Sequence, residues 1–216
     1  MNSTLRAEVE AWIADDPDQK TAGELQTLLD AGDEETLKKY FNGFLQFGTA
    51  DLRGPIGPGP SCMNRAVVGR AAAGIAAYMK KRGMTKVVVG RDARYGSEDY
   101  TFETAEIMSG AGMDVYILPR PLPTPVLAFA TSYLACDIGI MVTASHNPPQ
   151  DNGYKVYVGP DADGVKYASS QIINPTDGFI AADIDAVTSL KSLPRGSKWT
   201  ILGEEVLNEY VKRTSA

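Results

Sequence analysis

The sequence predicts an α/β fold: a layered, mixed, mainly parallel sheet with helices on both faces, preceded by N-terminal helices. Three observations predict it. Short apolar runs, "KVVVG", "DVYIL" and "DIGIMVT", alternate with helical stretches, and strands joined by crossover helices run parallel. A further run, "YKVYV", comes back out of a polar loop with no helix between. The first 45 residues read as helical.

Each element has its own signal. Thr21 and Glu24 have capping-box spacing ahead of "LQTLL". "DEETLKKYF" is acidic first and basic later, as a helix dipole favours. "FGTADLRGPIGPGPS" is rich in Gly and Pro and reads as one long functional loop. The next helix, "NRAVVGRAAAGIAAYMKKRG", puts Val68, Ala72, Ile75 and Met79 on one face and stops at Gly83. After "KVVVG", Ser97 caps "SEDYTFETAEIMSGAG". In "PTPVLAFATSYLA", Thr124 caps and Pro125 suits the first helical position. "NPTDGFIAADIDAVTSL" reads as a capped amphipathic helix, "PRGSKW" as a linker, and "GEEVLNEYVKRTSA" as the start of a last helix. The division is 1–45 as a helical extension, 46–185 as the α/β domain, and 186–216 as a connector and the start of a truncated second domain.

Composition limits the function classes. The chain has 216 residues, 44% apolar and 22% charged, which is enough for a packed core. A net charge of −6 with scattered Lys and Arg argues against broad nucleic-acid or anionic-membrane partners. No apolar run is long enough to span a bilayer, and the first residues do not read as a signal peptide. Cys62 and Cys136 lack metal spacing and read as reduced, buried thiols of a cytoplasmic protein.

The chemistry-bearing stretch is "TASHNPPQDNGYKVY", Thr143 to Tyr157. Ligands of such sheets bind beyond the carboxyl ends of strands, and this loop begins at one. Ser145 opens it. The only His is its neighbour His146, and no G-x-S-x-G elbow surrounds the Ser, so a hydrolase triad does not fit. Doubled Pro148-Pro149 and the turn "DNG" make the loop stiff, which suits a side chain held in place; the alternative is a plain polar turn. Lys155 lies just past the exit, on the opposite face from Tyr154, Val156 and Val158, and is either a cation beside the Ser or an exposed edge lysine. "FGTADLRG" places Thr49 and Arg53 in a Gly-flanked loop suited to phosphate, although Arg53 equally fits a structural ion pair. Asp92 and Arg94 of "GRDARYGS", at a strand end, read either as shaping the site or, the favoured reading, as fixing their own loop and pairing locally. "PDADG" reads as a hairpin turn, because the EF-hand ligand pattern fails. No P-loop and no dinucleotide fingerprint occur.

"TASHNPPQDNGYKVY" resembles the phosphoserine loop of the α-D-phosphohexomutase superfamily, and "FGTADLRG" resembles that superfamily's N-terminal loop. "GRDAR", "PTP" and "SQIINPTD" follow in matching order, so the resemblance runs from about Phe47 to Asp177. The preceding helices and "GPGPSCMN" resemble the phosphoglucomutase-2-like and phosphopentomutase-like branch. One departure is Ala50-Asp51, where that branch usually has Ala-Gly.

The resemblance implies domain I of a phosphosugar mutase. Ser145 would carry phosphate to a sugar monophosphate and take the other phosphate back from the bisphosphate intermediate, moving phosphate between the 1 and 6 positions of a hexose. A phosphopentomutase of the same superfamily is the nearest alternative, and a non-catalytic phosphosugar- or partner-binding module is the alternative of another class. The resemblance further implies Lys155 and Arg53 as acid/base and charge-stabilising residues, and His146 and Asn147 as shaping the loop. Thr49, Arg53, Asn147 and Lys155 would bind phosphate or substrate, with Mg²⁺ on the phosphate of Ser145. The family's Asp-Gly-Asp-x-Asp-Arg metal loop and Gly-Glu-x-Ser-Gly sugar loop do not occur in these residues. The remaining metal ligands are therefore expected in other domains of the same enzyme, and this chain alone is expected not to turn over.

Overall fold

A computed structural model describes residues 2–47, 51–159 and 169–215. Thr49 and the Pro160–Gly164 turn lie outside the described residues. Three helices come first: α1 (Ser3–Asp15), α2 (Gln19–Ala31) and α3 (Glu34–Tyr40). They bury their own small core of Leu5, Val9, Leu25, Leu29 and Leu37, roofed by Trp12 and Phe41. α2 begins earlier than the capping-box reading places it. Asp18 is the cap, accepting from the Lys20 amide, and the Thr21 hydroxyl donates to Asp16 at 2.7 Å instead. A carboxylate ahead of the Thr took the role its spacing suggested.

The body follows as β1 (Asp51–Pro55), α4 (Arg65–Lys81), β2 (Lys86–Arg91), α5 (Ser97–Gly110), β3 (Asp114–Ile117), α6 (Thr124–Tyr133), β4 (Ile138–Val142) and β5 (Asp151–Val158). β6 (Ser170–Gln171), α7 (Thr176–Asp185), β7 (Thr200–Ile201) and α8 (Glu205–Thr214) complete it. The sheet order is β1-β5-β4-β2-β3-β7, with β6 also on β5. β2, β3, β4 and β7 run parallel, whereas β5 is antiparallel to β1, β4 and β6.

Alternation along the strands sorts the two faces. Val87, Val89, Ile138, Ile140, Val142, Tyr154 and Val156 join α4, α5 and α7 in the larger core. Val88, Met141 and Tyr157 point the other way, toward α6 and α8. The expected stripe of Val68, Ala72, Ile75 and Met79 is fully buried. Cys62 and Cys136 are buried and unpaired; burial pushes the Cys136 thiol up to about 12. Among the described residues no helix is long and apolar enough to cross a membrane.

Among the described residues three strands escaped the sequence, β1, β7 and the two-residue β6. β1 lies inside the stretch read as a loop: among its apolar side chains only Leu52 is buried, and Gly54 and Pro55 sit on an edge strand bonded on one side, where they are tolerated. β7 is a two-residue strand beyond the expected linker. Two caps differ by one residue. Gly96, left-handed at φ 74°, precedes α5, while the Ser97 hydroxyl is taken by Asp92. Pro123 precedes α6, and Thr124 makes no cap bond. α7 likewise has no side-chain cap. Residues expected to open a second domain lie against the same body: β7 extends its sheet beside β3, and α8 packs on α6, with Phe129 and Tyr210 ring centroids 5.7 Å apart.

Candidate active site

β4 and β2 are parallel neighbours, paired through Arg91 and Val142, so the loops leaving their carboxyl ends meet. The serine loop leaves β4 and re-enters the sheet as β5. Thr143 is buried at its root. Its hydroxyl donates to Asp92 Oδ2 at 2.6 Å and accepts from the Ser145 amide at 3.0 Å. The Asn147 amide closes a turn onto the Ala144 carbonyl. Between them Ser145 has φ 58°, the left-handed region that few serines occupy, and both Ser145 and His146 are exposed. Such a backbone persists only where its surroundings over-determine it.

Arg94 does much of that. One terminal nitrogen donates to the carbonyls of Pro148 at 2.7 Å and Asp151 at 3.1 Å. The other donates to those of Ser145 at 3.0 Å and Asn147 at 2.8 Å. Its Nε lies 3.2 Å from Asp92, whose carboxylate also takes the Ser97 hydroxyl. The local pair read from the sequence is there, but the main grip of Arg94 is on the serine loop. Asn152 adds a second tie, donating to Tyr95 O and to Ser97 Oγ.

β1 and β5 bring the cations. Leu52 and Tyr154 point into the larger core, so Asp51, Arg53 and Lys155 share the other face. Asp51 stands opposite Lys155, and Arg53 opposite Gly153. Gly153 has no room for a side chain: a Cβ would stand 2.6 Å from Leu52 O and 2.7 Å from Thr143 O. Arg53 grips Asp51 Oδ2 through Nε at 2.7 Å and Nη2 at 2.5 Å. Its Nη1 reaches 3.5 Å from Asn147 Oδ1, and the Asn147 amide group holds Asp151 at 3.0 Å. Burial, then the nearby Arg53, lowers the Lys155 pKa, and Asp51 opposes them.

The structure thus brings Arg53 to Asn147 of the serine loop, with Lys155 on the adjoining strand. Asp51, which stands where the branch usually has Gly, is extended at the head of β1. Among the described residues no three His, Cys, Asp or Glu side chains converge. These residues therefore do not by themselves make the Mg²⁺ site that the resemblance implies. Sequence reading missed the carbonyls that Arg94 clamps, the brace of Thr143, and Asp51 as the partner in the ion pair open to Arg53. The signal for the first was the position of "GRDAR" after a strand parallel to "DIGIMVT": adjacent parallel strands deliver their loops to one crevice.

Residues 45–175 match the family model described as phosphoglucomutase/phosphomannomutase, alpha/beta/alpha domain I. A "probable phosphomannomutase" of Haemophilus influenzae is 47% identical over 71% of this chain and 31% of its own length. The phosphoribomutase of Saccharomyces cerevisiae is 35% identical over 98% of this chain and 32% of its own. A solved structure from Thermus thermophilus, assigned as a phosphomannomutase, superposes with a TM-score of 0.67 at 29% identity, over 80% of this chain and 36% of that one. The chain spans about a third of the length of the curated relatives it matches.

Proposed function

The chain belongs to the phosphoglucomutase/phosphomannomutase family, and from that premise we propose that it is the phosphoserine-bearing part of a phosphosugar mutase. Ser145 carries the phosphate. A sugar hydroxyl attacks the phosphorus, the Oγ–P bond of Ser145 breaks as the sugar O–P bond forms, and the bisphosphate returns its other phosphate by the reverse step. The proton of the sugar hydroxyl passes to the Lys155 amine and on to the departing Oγ, so protons balance within the site. The depressed pKa of Lys155 suits that exchange. Arg53 offers its fork to phosphate oxygens, Asn147 holds it near the loop, and the exposed His146 helps to shape that loop.

One observation carries the reading. Ser145 is exposed at a strand end in a left-handed backbone, held by an arginine that grips four carbonyls of its loop. Positioning and electrostatics are what phosphoryl transfer asks of a protein. The substrate proposed is a hexose monophosphate exchanging between its 1 and 6 positions, with a sugar bisphosphate as activator. A pentose phosphate is the second reading, favoured by the phosphoribomutase relative that aligns over nearly the whole chain, N-terminal helices included. Mg²⁺ ligands other than the phosphate of Ser145 are proposed to lie in the part of the relatives this chain does not span, and the compartment is proposed to be the cytoplasm.

The test is peptide mapping of the full-length protein after incubation with a sugar 1,6-bisphosphate, beside steady-state turnover of glucose 1-phosphate and ribose 1-phosphate. One phosphate on Ser145, and loss of all turnover in Ser145→Ala, is the expected result. Binding of sugar phosphate with Ser145 unmodified and no turnover would assign a non-catalytic binding module instead.

A further inference from the structure

Arg53 is shared between two neighbours. Its Nε and Nη2 are spent on one oxygen of Asp51, while Nη1 faces Asn147 on the serine loop. Both partners of the ion pair are mostly covered, at 25% and 18% side-chain exposure. The pair therefore sits in a partly desolvated place, where its geometry is better held than on an open surface. Asp51 is also the cross-strand partner of Lys155. One carboxylate thus stands by the two cations of this face, with Tyr157 the other titratable group within their influence.

We infer that Asp51 is a positioning residue acting as a resident counter-ion. It fixes the fork of Arg53 toward the serine loop while no phosphate is there, and yields the Nε–Nη2 edge when a phosphate arrives. The inference rests on the reading of Ser145 as phosphate carrier, and it adds a residue to that site. The physical reason is competition. A guanidinium presents one fork edge to one bidentate anion at a time, so a carboxylate already on that edge weakens any phosphate bound there. Without it, Arg53 and Lys155 repel each other across the strand pair, and Arg53 has no anion to aim it. Losing Asp51 should therefore tighten anion binding and slow transfer, which separates KM from kcat.

Three readouts in the full-length protein test this, using Asp51→Asn and Asp51→Gly. Inorganic phosphate, titrated while following the Arg53 Nε–H NMR signal, should bind about tenfold tighter in the variants, the scale set by losing a competing charge-assisted contact. kcat for glucose 1-phosphate should fall about tenfold while KM falls as well. The acid limb of the pH–rate profile should move to lower pH, because Asp51 holds the Lys155 pKa up against burial and Arg53. Wild-type phosphate affinity in both variants would overturn the inference. So would a fall in kcat matched by lost thermal stability, with KM and the pH limb unmoved. The two levels fail separately. Tighter phosphate binding in the variants with no phosphate ever found on Ser145 removes the phosphoserine reading and leaves the counter-ion. Phosphorylated Ser145 with unchanged phosphate affinity does the reverse.

Discussion

Arg94 and Arg195 are both largely covered arginines with several partners, and they grip different things. Arg195 ends on carboxylates: Glu103 at 2.5 Å and Glu106 at 2.7 Å, with Arg65 on the second oxygen of Glu103 at 2.8 Å. Those contacts tie the chain before β7 and the head of α4 onto α5. Arg94 ends on four carbonyls of a single loop. Carboxylate-bound arginines hold elements together, whereas a carbonyl-bound arginine dictates a backbone shape. The first should be visible in stability and the second in rate.

The largest expected effect breaks the loop clamp. Arg94→Ala in the full-length protein should lower kcat roughly 10²–10³-fold, the range for losing a preorganised contact or displacing a reacting group by about an ångström. Its stability cost should stay near ~1–2 kcal/mol, since the freed carbonyls lie in a solvated loop. Arg94→Lys should restore part of the rate at most, because an ammonium lacks the fork. Steady-state kinetics beside thermal melts separates the two quantities. Unchanged kcat with a large fall in Tm would put Arg94 in the same class as Arg195.

The opposite pattern is expected at the other cluster. Glu103 has no exposed side-chain surface, yet Arg65 and Arg195 are about a third exposed and can hydrate once released. Glu103→Ala should therefore cost about 2–3 kcal/mol, below the roughly 3–5 kcal/mol of a fully enclosed pair. Chemical denaturation measures it, and kcat per folded molecule should be little changed. A rate loss as large as that of Arg94→Ala would mean the two clusters are coupled and the distinction fails.

The fold was largely legible because its central strands are runs such as "KVVVG" and "DIGIMVT", buried on both faces and separated by helices of ordinary length. What escaped is short or bonded on one side. β1 buries one apolar side chain and β7 none, so neither leaves a periodic pattern. The serine loop was legible as a candidate site from its density of polar and stiff residues, and the facing of Lys155 from strand alternation. The grip of Arg94 was not, because its partners are backbone carbonyls of the serine loop, which carry no residue-type signal. Asp51 was seen as a departure from a family pattern, but its bond to Arg53 depends on a strand that the Gly and Pro around it concealed.

The smallest effect sharpens the comparison by its sign. Lys155 is a partly buried cation whose pKa in the folded protein lies below the usual lysine value, mainly through burial, then through Arg53. Between that lowered value and the unfolded value of about 10.4, the unfolded chain holds the proton more tightly than the folded one, so stability rises with pH across this window. Below the window both states are charged, and the cost of covering the ammonium is present in full. Lys155→Met keeps the aliphatic stem and deletes the charge. It should melt slightly higher than wild type at neutral pH, with the margin shrinking across that window and gone above about 10.4, where the wild-type lysine is neutral in both states. Solvent near the side chain and the Asp51 carboxylate keep the gain small. Because other lysines and tyrosines titrate in the same range, the quantity to read is the difference between the two Tm–pH curves. With Lys155 as the proposed proton carrier, the same variant should lose turnover. Higher stability with lower activity is the mark of a charge kept for chemistry. A Lys155→Met protein that melts lower at every pH would instead make Lys155 a structural partner of Asp51, of the same kind as Arg195.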